Sequence, residues 1–405
     1  MTTLVVTVFV AVYLSMLLGG IPGLQVDRAG AALLGAIVLL AGGAIDEKAA
    51  LESIDVPTLA LLFGLMVVSA QLQLGGFYGW AIRRVVSMDT TPSLLLGAVI
   101  AFSGSLSAVL TNDVVCLTIA PLLLRLCLTK GLNQVPYLIA LACAANVGSA
   151  ATLIGNPQNI LIGEALQMSF NRYLLTALPT CFLGLATIWA VIAVRYRNDW
   201  SRTVARENDQ PENHFDKWQT NKGLLVLGLL VSGFIFVPSW PRELLALGGA
   251  GVLLLSRKFH SQRIMGLVDW QLLVLFISLF IVNRAFELSG GVEWLVTQSE
   301  SAGVSLKKPT SLYIATAVLS NLISNVPAVM LLLPMTEGEA GGALLALSST
   351  LAGNLTIVGS IANIIVVEAA RRSGVEISVR THAKIGVPVT LATLLFAAVQ
   401  LWLMS

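Results

Sequence analysis

The stretch Ala108–Pro121, AVLTNDVVCLTIAP, places a hydroxyl, an amide and a carboxylate in a row inside one of the most apolar parts of the chain. The three residues are Thr111, Asn112 and Asp113. Polar groups in a hydrocarbon environment must be paired or must line a water-filled cavity. The stretch therefore predicts that a helix is interrupted here and that the polar turn faces a cavity.

The composition of the chain indicates a membrane protein. Of its 405 residues, 56% are hydrophobic and only 11% are charged, whereas soluble domains carry about 25% charged residues. The apolar runs are continuous rather than alternating, which favours spanning helices over a β-barrel. We expect an all-α polytopic membrane protein, with its first apolar run retained as a helix because no basic segment precedes it. The long apolar runs are Leu4–Leu18, Ala31–Gly43, Leu59–Leu72, Tyr173–Val194 and Val387–Leu403.

A polar segment near the midpoint of the chain separates two halves that resemble each other. Threonine, glycine, asparagine and proline recur in the same order in both halves, which indicates an internal repeat. We expect an N-terminal membrane repeat over residues 1–197, a linker over 198–222 and a C-terminal membrane repeat over 223–405. The matched segments are LGGFYGW (Leu74–Trp80) with SGGVEW (Ser289–Trp294), TNDVVCLTIAP (Thr111–Pro121) with SNVPAVMLLLP (Ser324–Pro334), and TLIGNPQNILI (Thr152–Ile162) with TIVGSIANIIV (Thr356–Val366).

The distribution of positive charge predicts how the two halves cross the membrane, because lysine and arginine concentrate in cytoplasmic loops. Eighteen of the 24 basic residues fall on one side if each half has five crossings, one of them a broken helix, and one re-entrant hairpin. This arrangement gives about ten transmembrane helices, two re-entrant hairpins and two broken helices, with the repeats inverted relative to each other. We expect the linker in the cytoplasm and both termini outside.

The polar turns of the hairpins and of the broken helices are expected to meet near the middle of the membrane. Asn112 and Asp113 suit the start of a helix as N-caps, and Ser324 and Asn325 match them in the second half. A proline in IGNPQN breaks the first crossing helix, and a glycine–serine pair in VGSIAN breaks the second. Interrupted helices whose ends meet at one place are the architecture that inverted-repeat transporters use for binding.

Asp113 is the most informative single residue, because a carboxylate at this depth costs several kcal/mol when it is charged. We interpret it as a group that takes up a proton or binds a cation during transport; the alternative is a simple N-cap. The second half has Val326 at the matching position, so a single coupling acid is expected. Glu164 and Glu368 follow the two breaks at matching offsets, and we expect both to be solvated helix ends near opposite mouths.

The sequence carries no signature of an enzyme. Its four cysteines lie at irregular spacing in apolar runs and are interpreted as small buried hydrophobic residues. His214, His260 and His382 are expected to lie in cytoplasmic loops and not to form a metal cluster. We expect no cofactor, apart from a proton or sodium as the coupling ion, and no nucleic-acid partner.

At TNDVVCLTIAP, IGNPQNILI, SNVPAVMLLLP and GSIANIIVVE the chain resembles the ion transporter superfamily, over nearly its whole length. That group includes arsenite/antimonite efflux permeases, sodium/proton antiporters, citrate transporters and divalent-anion/sodium symporters. The resemblance implies two inverted repeats, each with a re-entrant hairpin and a broken helix that enclose the substrate. The residues that it places at this site are Thr111, Asn112, Asp113, Gly155, Asn156, Asn159, Ser324, Asn325, Gly359, Ser360 and Asn363.

The Thr-Asn-Asp hairpin looks most like the arsenite permease branch, since the dicarboxylate symporters carry Ser-Asn-Thr at both repeats. We expect proton-coupled efflux of arsenite, antimonite or a similar small solute across the inner membrane, with Asp113 carrying the proton. Three alternatives stay open: uptake of a carboxylate or inorganic anion with protons or sodium, sodium/proton antiport, and a channel of the same fold. The resemblance also implies a homodimer and, for an arsenite pump, a soluble ATPase partner.

Overall fold

The computed structural model describes residues 2–201 and 215–404. Within these residues the chain forms twenty α-helices and one short 3-10 helix, and it contains no β-strand. The first half contains α1 (Thr2–Leu18), α2 (Arg28–Ala41), α3 (Glu47–Ser53), α4 (Val56–Leu74), α5 (Phe77–Val86), α6 (Pro92–Val109), α7 (Asn112–Thr129), α8 (Gln134–Ser149), α9 (Pro157–Ala165) and α10 (Phe170–Arg195).

The second half begins earlier than expected, because the predicted linker already contains the start of a helix at Lys217. Asp216 caps this helix by accepting a hydrogen bond from the Gln219 amide at 3.0 Å. Residues 202–214 of the linker, with His214, lie outside the described part of the chain. The helices are α11 (Lys217–Phe236), α12 (Arg242–Leu254), α13 (Ser261–Met265), α14 (Trp270–Leu288), α15 (Gly291–Ser301), α16 (Pro309–Ile323), α17 (Asn325–Leu332), α18 (Gly338–Ala352), α19 (Ile361–Arg372) and α20 (Val379–Met404), and the 3-10 helix is Leu333–Met335.

Seven of the described helices are long and apolar enough to cross a membrane: α4, α6, α7, α10, α11, α14 and α20. Shorter apolar helices, such as α1, α2 and α16, accompany them. The predicted all-α polytopic membrane fold is therefore confirmed. Both helices of the first hairpin are among the seven, so their re-entrance stays a prediction, as do the inversion of the halves and the sides on which the termini lie.

Helix starts recur at a fixed spacing in the two halves. Asp55 caps α4, and Asp269 caps α14, each by accepting a hydrogen bond from an amide of the first helical turn. Gly76 and Gly290 precede α5 and α15 in the left-handed conformation, with φ of 78° and 79°, which glycine adopts without the clash of a Cβ atom. The members of each pair are 214 residues apart, so the segment that joins α4 to α5 is repeated between α14 and α15.

Each hairpin turns within one or two residues, Leu110–Thr111 in the first half and Ser324 in the second. The prediction that Asn112 and Asp113 are N-caps is wrong. The extended backbone that a cap requires is found at Thr111, with φ −60° and ψ 131°, and the following residue is already helical. Ser324 does occupy the N-cap position of α17, as predicted, but the same prediction is wrong for Asn325, which is the first helical residue.

Both predicted breaks are present in the structure. The first interruption covers residues 150–156, and Asn156 caps α9 by accepting from the Asn159 amide at 2.9 Å. Pro157 takes the first helical position of α9, where its missing N–H is tolerated. The second interruption, between α18 and α19, covers residues 353–360.

The broken helices lie at the centre of the molecule. Every residue of α8 is buried, and α18 is buried from Gly342 to Ala352. Helices α6 and α7 pack on α8, α16 and α17 pack on α18, and α10 packs on α20. The four cysteines are buried free thiols, as predicted. This packing places both interruptions where elements of the two halves meet.

Candidate solute-binding site

Asn146, near the end of α8, is the centre of a hydrogen-bond network that joins the two halves. Its Oδ1 accepts from Asn112 Nδ2 at 3.0 Å and from Ser360 Oγ at 2.9 Å. Its Nδ2 donates to Asn354 Oδ1 at 2.9 Å and to Asn363 Oδ1 at 3.1 Å. All four hydrogen-bonding positions of this amide are therefore used, three of them by the second half.

Thr350 takes the equivalent position in α18, 204 residues after Asn146. Its Oγ1 accepts from Asn156 Nδ2 at 3.2 Å and from Gln158 Nε2 at 3.1 Å. The same hydroxyl donates to Asn159 Oδ1 at 3.3 Å. Each half thus uses one residue of its broken helix to bind the helix start that follows the break in the other half.

Asn159 and Asn363 hold the two interruptions together in the same manner. Asn159 Nδ2 donates to the Thr152 carbonyl at 2.9 Å, and Asn363 Nδ2 donates to the Thr356 carbonyl at 3.0 Å. Both the asparagines and the threonines are 204 residues apart. These bonds satisfy carbonyls that the interrupted helices leave free. The matching contacts support the internal repeat that the sequence indicates.

The hairpins contact the interruptions in each half. The backbone N–H of Asn112 donates to the Gly155 carbonyl at 3.2 Å. Asn325, in the amide orientation that pairs donors with acceptors, donates to the Gly359 carbonyl at 3.2 Å and accepts from Gln158 Nε2 at 3.2 Å. The hairpin turn and the helix break that the sequence predicts to share a site are therefore adjacent in both halves.

Gly155 and Gly359 permit this close approach because they lack a side chain. A Cβ atom at Gly155 would lie 2.3 Å from the Ser149 carbonyl oxygen and 2.8 Å from the Ser107 carbonyl oxygen. A Cβ atom at Gly359 would lie 2.5 Å from Asn321 Oδ1, which is a side-chain atom. The atoms nearest to Gly155 are thus backbone, whereas the atom nearest to Gly359 belongs to a side chain, with the Gly353 carbonyl oxygen next at 3.0 Å.

Ten of the eleven residues predicted at the site are buried around these contacts. Asp113 is the exception, because it is only half-buried. Within residues 2–201 and 215–404 its carboxylate makes neither a hydrogen bond nor an ion pair. A carboxylate in a membrane helix that has no protein partner is a candidate for taking up a proton or binding a cation.

The two interruptions differ in their exposure. Every residue from Ala150 to Glu164 is buried. In the second interruption Val358 is 54% exposed, and Thr356 and Ile357 are half-buried. The second break is therefore open to the surroundings of the protein, and the first is not.

Sequence reasoning missed Asn146, Thr350 and Asn354, although these residues connect the predicted ones. A signal existed for the first two, because the 204-residue spacing between the breaks pairs them. Asn354 has Ala150 as its counterpart, so the repeat gives no indication of it.

His382 also belongs to this region, and the expectation that it lies in a loop is wrong. It lies in the first turn of α20, is 2% exposed, and has its Nε2 atom 3.0 Å from the Asn354 carbonyl oxygen. The side chain of His382 is buried although Val379 and Arg380 before it are exposed. Gly386, one turn later, packs so closely that a Cβ atom there would lie 2.3 Å from the same carbonyl. The described residues contain no group of three or more His, Cys, Asp or Glu that is placed to hold a metal ion.

The two glutamates that follow the breaks have different environments. Glu164 is 6% exposed and its Oε1 lies 2.9 Å from Arg242 Nε, so the expectation of a solvated helix end is wrong for this residue. Burial makes a charged partner necessary, and Arg242 supplies it. Glu368 is 35% exposed and pairs with Arg371 and Arg372 of its own helix at 2.9 and 3.0 Å.

Two cavities, each of about 460 Å³, open at the end of the molecule that the charge pattern predicts to be outside. Asn283, Arg284 and Met330 help to line one, and Glu164 and Arg242 help to line the other. Neither cavity is lined by a member of the buried asparagine network. These two cavities therefore do not reach the network.

Comparison with known proteins identifies relatives over the full length of the chain. A family model described as CitMHS, citrate transporter, matches residues 9–343. An uncharacterised transporter of Mycobacterium tuberculosis is 31% identical, with 100% of this chain and 99% of the relative covered. The silicon efflux transporter LSI3 of rice is 28% identical over 92% of this chain and 91% of its own length. A putative transporter of Dictyostelium discoideum named arsB is 24% identical over 92% and 86%.

A solved structure has the same fold. The YdaH transporter of Alcanivorax borkumensis superposes with a TM-score of 0.61, at 17% identity, over 99% of this chain and 97% of that one. At this level of identity the likeness concerns the fold alone.

Proposed function

This chain belongs to the citrate transporter family, and on that premise we propose that it exports a small, uncharged, polyhydroxylated acid in exchange for protons. Arsenous acid, or its antimony analogue, is the first candidate. Silicic acid has the same chemistry, because it too presents several hydroxyl groups and no charge at neutral pH.

The observation that carries this proposal is the composition of the network at the breaks. Its members are carboxamides and hydroxyls, which exchange hydrogen bonds with the hydroxyl groups of a neutral solute. Within the described residues no lysine or arginine is hydrogen-bonded to Asn146, Thr350 or Asn159. A multiply charged anion buried here would lack the cationic partner that a buried charge requires. The names of the rice and Dictyostelium relatives, a silicon efflux transporter and a transporter called arsB, agree with a neutral acid as the solute.

The binding surface is proposed to include the eleven residues predicted from the sequence, together with Asn146 and Thr350. Asp113 carries the proton in this proposal, because its carboxylate stands unpaired at the edge of the network. A membrane potential of 100 mV drives each inward proton with about 2.3 kcal/mol. Exchange of one proton for one neutral solute uses this energy to expel the solute.

A second candidate is uptake of a carboxylate such as citrate with protons or sodium. It is favoured by the description of the family model that matches the chain. In that case the solute needs a cation bound with it, because the network itself supplies only neutral groups.

Reconstituted vesicles separate the two candidates. The purified chain is placed in vesicles with an imposed pH gradient, and arsenite, silicic acid and citrate are offered separately, citrate with and without sodium. We expect arsenite or silicic acid to accumulate against its gradient and to equilibrate when an uncoupler is added. Accumulation of citrate alone contradicts the proposal, and flux of the neutral acids that ignores the pH gradient indicates a channel. Asp113→Asn vesicles serve as the coupling control.

A further inference from the structure

The ion pair between Glu164 and Arg242 lies at the predicted outer end of the molecule. Glu164 lies near the end of α9, the helix that follows the first break, and Arg242 is the first residue of α12 in the other half. Their side chains are 6% and 13% exposed, with Nε and Oε1 2.9 Å apart. Arg242 also donates to the Gly163 carbonyl at 3.0 Å. One arginine thus ties the end of a broken helix to the opposite half.

The internal repeat assigns a counterpart to each member of this pair. The spacing of 204 residues that relates the two breaks places Glu368 opposite Glu164. The spacing of 214 residues that relates α4 to α14 places Arg28 opposite Arg242, and Arg28 is the first residue of α2 as Arg242 is of α12. Both counterparts belong to the predicted cytoplasmic end.

At that end the equivalent contact is not made. The buried Arg28 Nε has no hydrogen-bond partner in the described part of the chain. Glu368 is paired only with Arg371 and Arg372 of its own helix. Helix α4, on which α12 packs, also packs on α9, whereas among the described residues its counterpart α14, on which α2 packs, makes no comparable packing on α19. The arginine and the glutamate are therefore paired at one end and unpaired with each other at the other.

We propose that Arg28 and Glu368 form the inner counterpart of the Arg242–Glu164 pair, so that the carrier closes one mouth by an arginine–glutamate pair while the equivalent pair at the other mouth is open. This inference rests on the proposed carrier action but not on the identity of the solute. When the outer pair separates, Arg242 and Glu164 become solvated, and Arg28 gains the charged partner that its buried Nε lacks.

Exchanging the outer ion pair for the inner one keeps the free energies of the two conformations of the carrier close. Breaking a buried pair is costly when one charge stays buried without a partner, and in the structure this cost falls at the inner mouth, where the buried Arg28 Nε has no partner in the described part of the chain. When the mouths exchange roles, the loss of the outer pair is offset by the gain of the inner one, so each state contains one closed pair and one open pair. Two conformations of similar free energy are what a carrier requires in order to alternate between them.

The test measures which mouth is open in the absence of solute. A cysteine at Val358 serves as the reporter, because this position is 54% exposed at the second break and the proposal makes that break reachable when the inner mouth is open. Glu164→Gln removes the outer pair and should slow labelling of the Val358→Cys reporter by about tenfold or more, as expected for loss of a buried ion pair. Glu368→Gln and Arg28→Gln remove the inner pair and should accelerate labelling by a similar factor. The reversed pair Arg28→Glu with Glu368→Arg should restore the rate.

The local pairs of Glu368 provide the control that distinguishes a gate from a stabilised helix end. Removing its competitors with Arg371→Gln and Arg372→Gln frees Glu368 for Arg28, so labelling should slow. If Glu368 acts only within its own helix, this variant will instead behave like Glu368→Gln, and the proposal is overturned. Unchanged labelling in Arg28→Gln, in protein that elutes as folded material, overturns it as well. Failure of the solute assignment alone leaves these shifts in place.

Discussion

The two helix breaks of this protein share one bonding scheme and differ in what covers them. In both, an asparagine in the first turn of the following helix donates to the carbonyl of a threonine seven positions earlier. The pairs are Asn159 with Thr152 and Asn363 with Thr356. The first break is buried throughout, whereas the second exposes Val358. The matched residues of the two halves therefore make the same bonds at each break, while the surrounding helices determine whether the break is exposed.

The central hydrogen-bonding residue also differs between the two breaks. The first half has Asn146 where the second has Thr350, so four hydrogen bonds are replaced by three. An amide that uses every donor and acceptor is fixed in orientation, whereas a hydroxyl rotates to suit its partners. We interpret the first break as the fixed part of the site and the second as the part that a solute reaches first.

The most damaging single change is expected at Asn146. Asn146→Leu leaves four buried polar groups without a partner, which should cost about 3–6 kcal/mol of unfolding free energy and abolish transport. Thr350→Val should cost only about 1–2 kcal/mol, because Asn156 keeps a bond to Ser149 and Gln158 keeps one to Asn325. Denaturant unfolding in detergent measures both. Equal losses would remove the distinction between the fixed and the reachable break.

Alanine substitutions at Gly155 and Gly359 test how tightly each break is packed. Gly155→Ala places a Cβ atom against two backbone carbonyls and should destabilise the protein by about 3 kcal/mol. Gly359→Ala meets the side chain of Asn321, whose hydrogen bonds to Ala352 and Thr356 must shift, and should cost about 2 kcal/mol. Thermal melting of the purified variants gives the order. A larger loss at Gly359 would show that the second break is the tighter one.

Replacement of Asp113 should affect coupling rather than stability. In Asp113→Asn vesicles at 100 mV, the accumulation of about 50-fold that 2.3 kcal/mol supports should fall to equilibration, while downhill flux persists. Val326→Ala alters the matching position of the second hairpin and should retain coupling. Solute content is measured by elemental analysis after filtration. Uphill transport that survives in Asp113→Asn would refute the role of this carboxylate.

The mildest change tests exposure directly. Val358 and Ile154 are equivalent positions, 204 residues apart, with exposed fractions of 54% and 0%. A water-soluble thiol reagent should label Val358→Cys at least about tenfold faster than Ile154→Cys, because thiol reactivity follows access. The four native cysteines are buried and give little background. Similar rates, or labelling of Val358→Cys only by a lipid-soluble reagent, would contradict an open second break.

Much of the fold follows from the sequence because its signals are local. Continuous apolar runs predict the spanning helices, and Pro157 predicts the first break, since a proline removes a helix hydrogen bond wherever it lies. The pairing of motifs across the midpoint predicts which turns meet. The homodimer and the soluble ATPase partner, which the resemblance implies, stay predictions.

The features that were missed depend on contacts between distant segments. Nothing near Asn354 or His382 in the sequence indicates that α20 carries a histidine against the end of α18, 28 residues earlier. The cap of α7 was misassigned by one residue because Asn112 is as good a cap as Thr111 in isolation. Its amide is instead engaged by Asn146, which no local rule detects. The burial of Glu164 likewise depends on Arg242 in the other half.

The reach of Asn146 across the molecule has a consequence for biosynthesis. Three of its partners, Ser360, Asn354 and Asn363, are more than 200 residues downstream, so the ribosome delivers them long after α8 has entered the bilayer. Until then the nascent first half contains, within the bilayer, an asparagine side chain that lacks three of its four hydrogen-bond partners. We therefore expect the first half to reach its final packing only after the last quarter of the chain has been inserted.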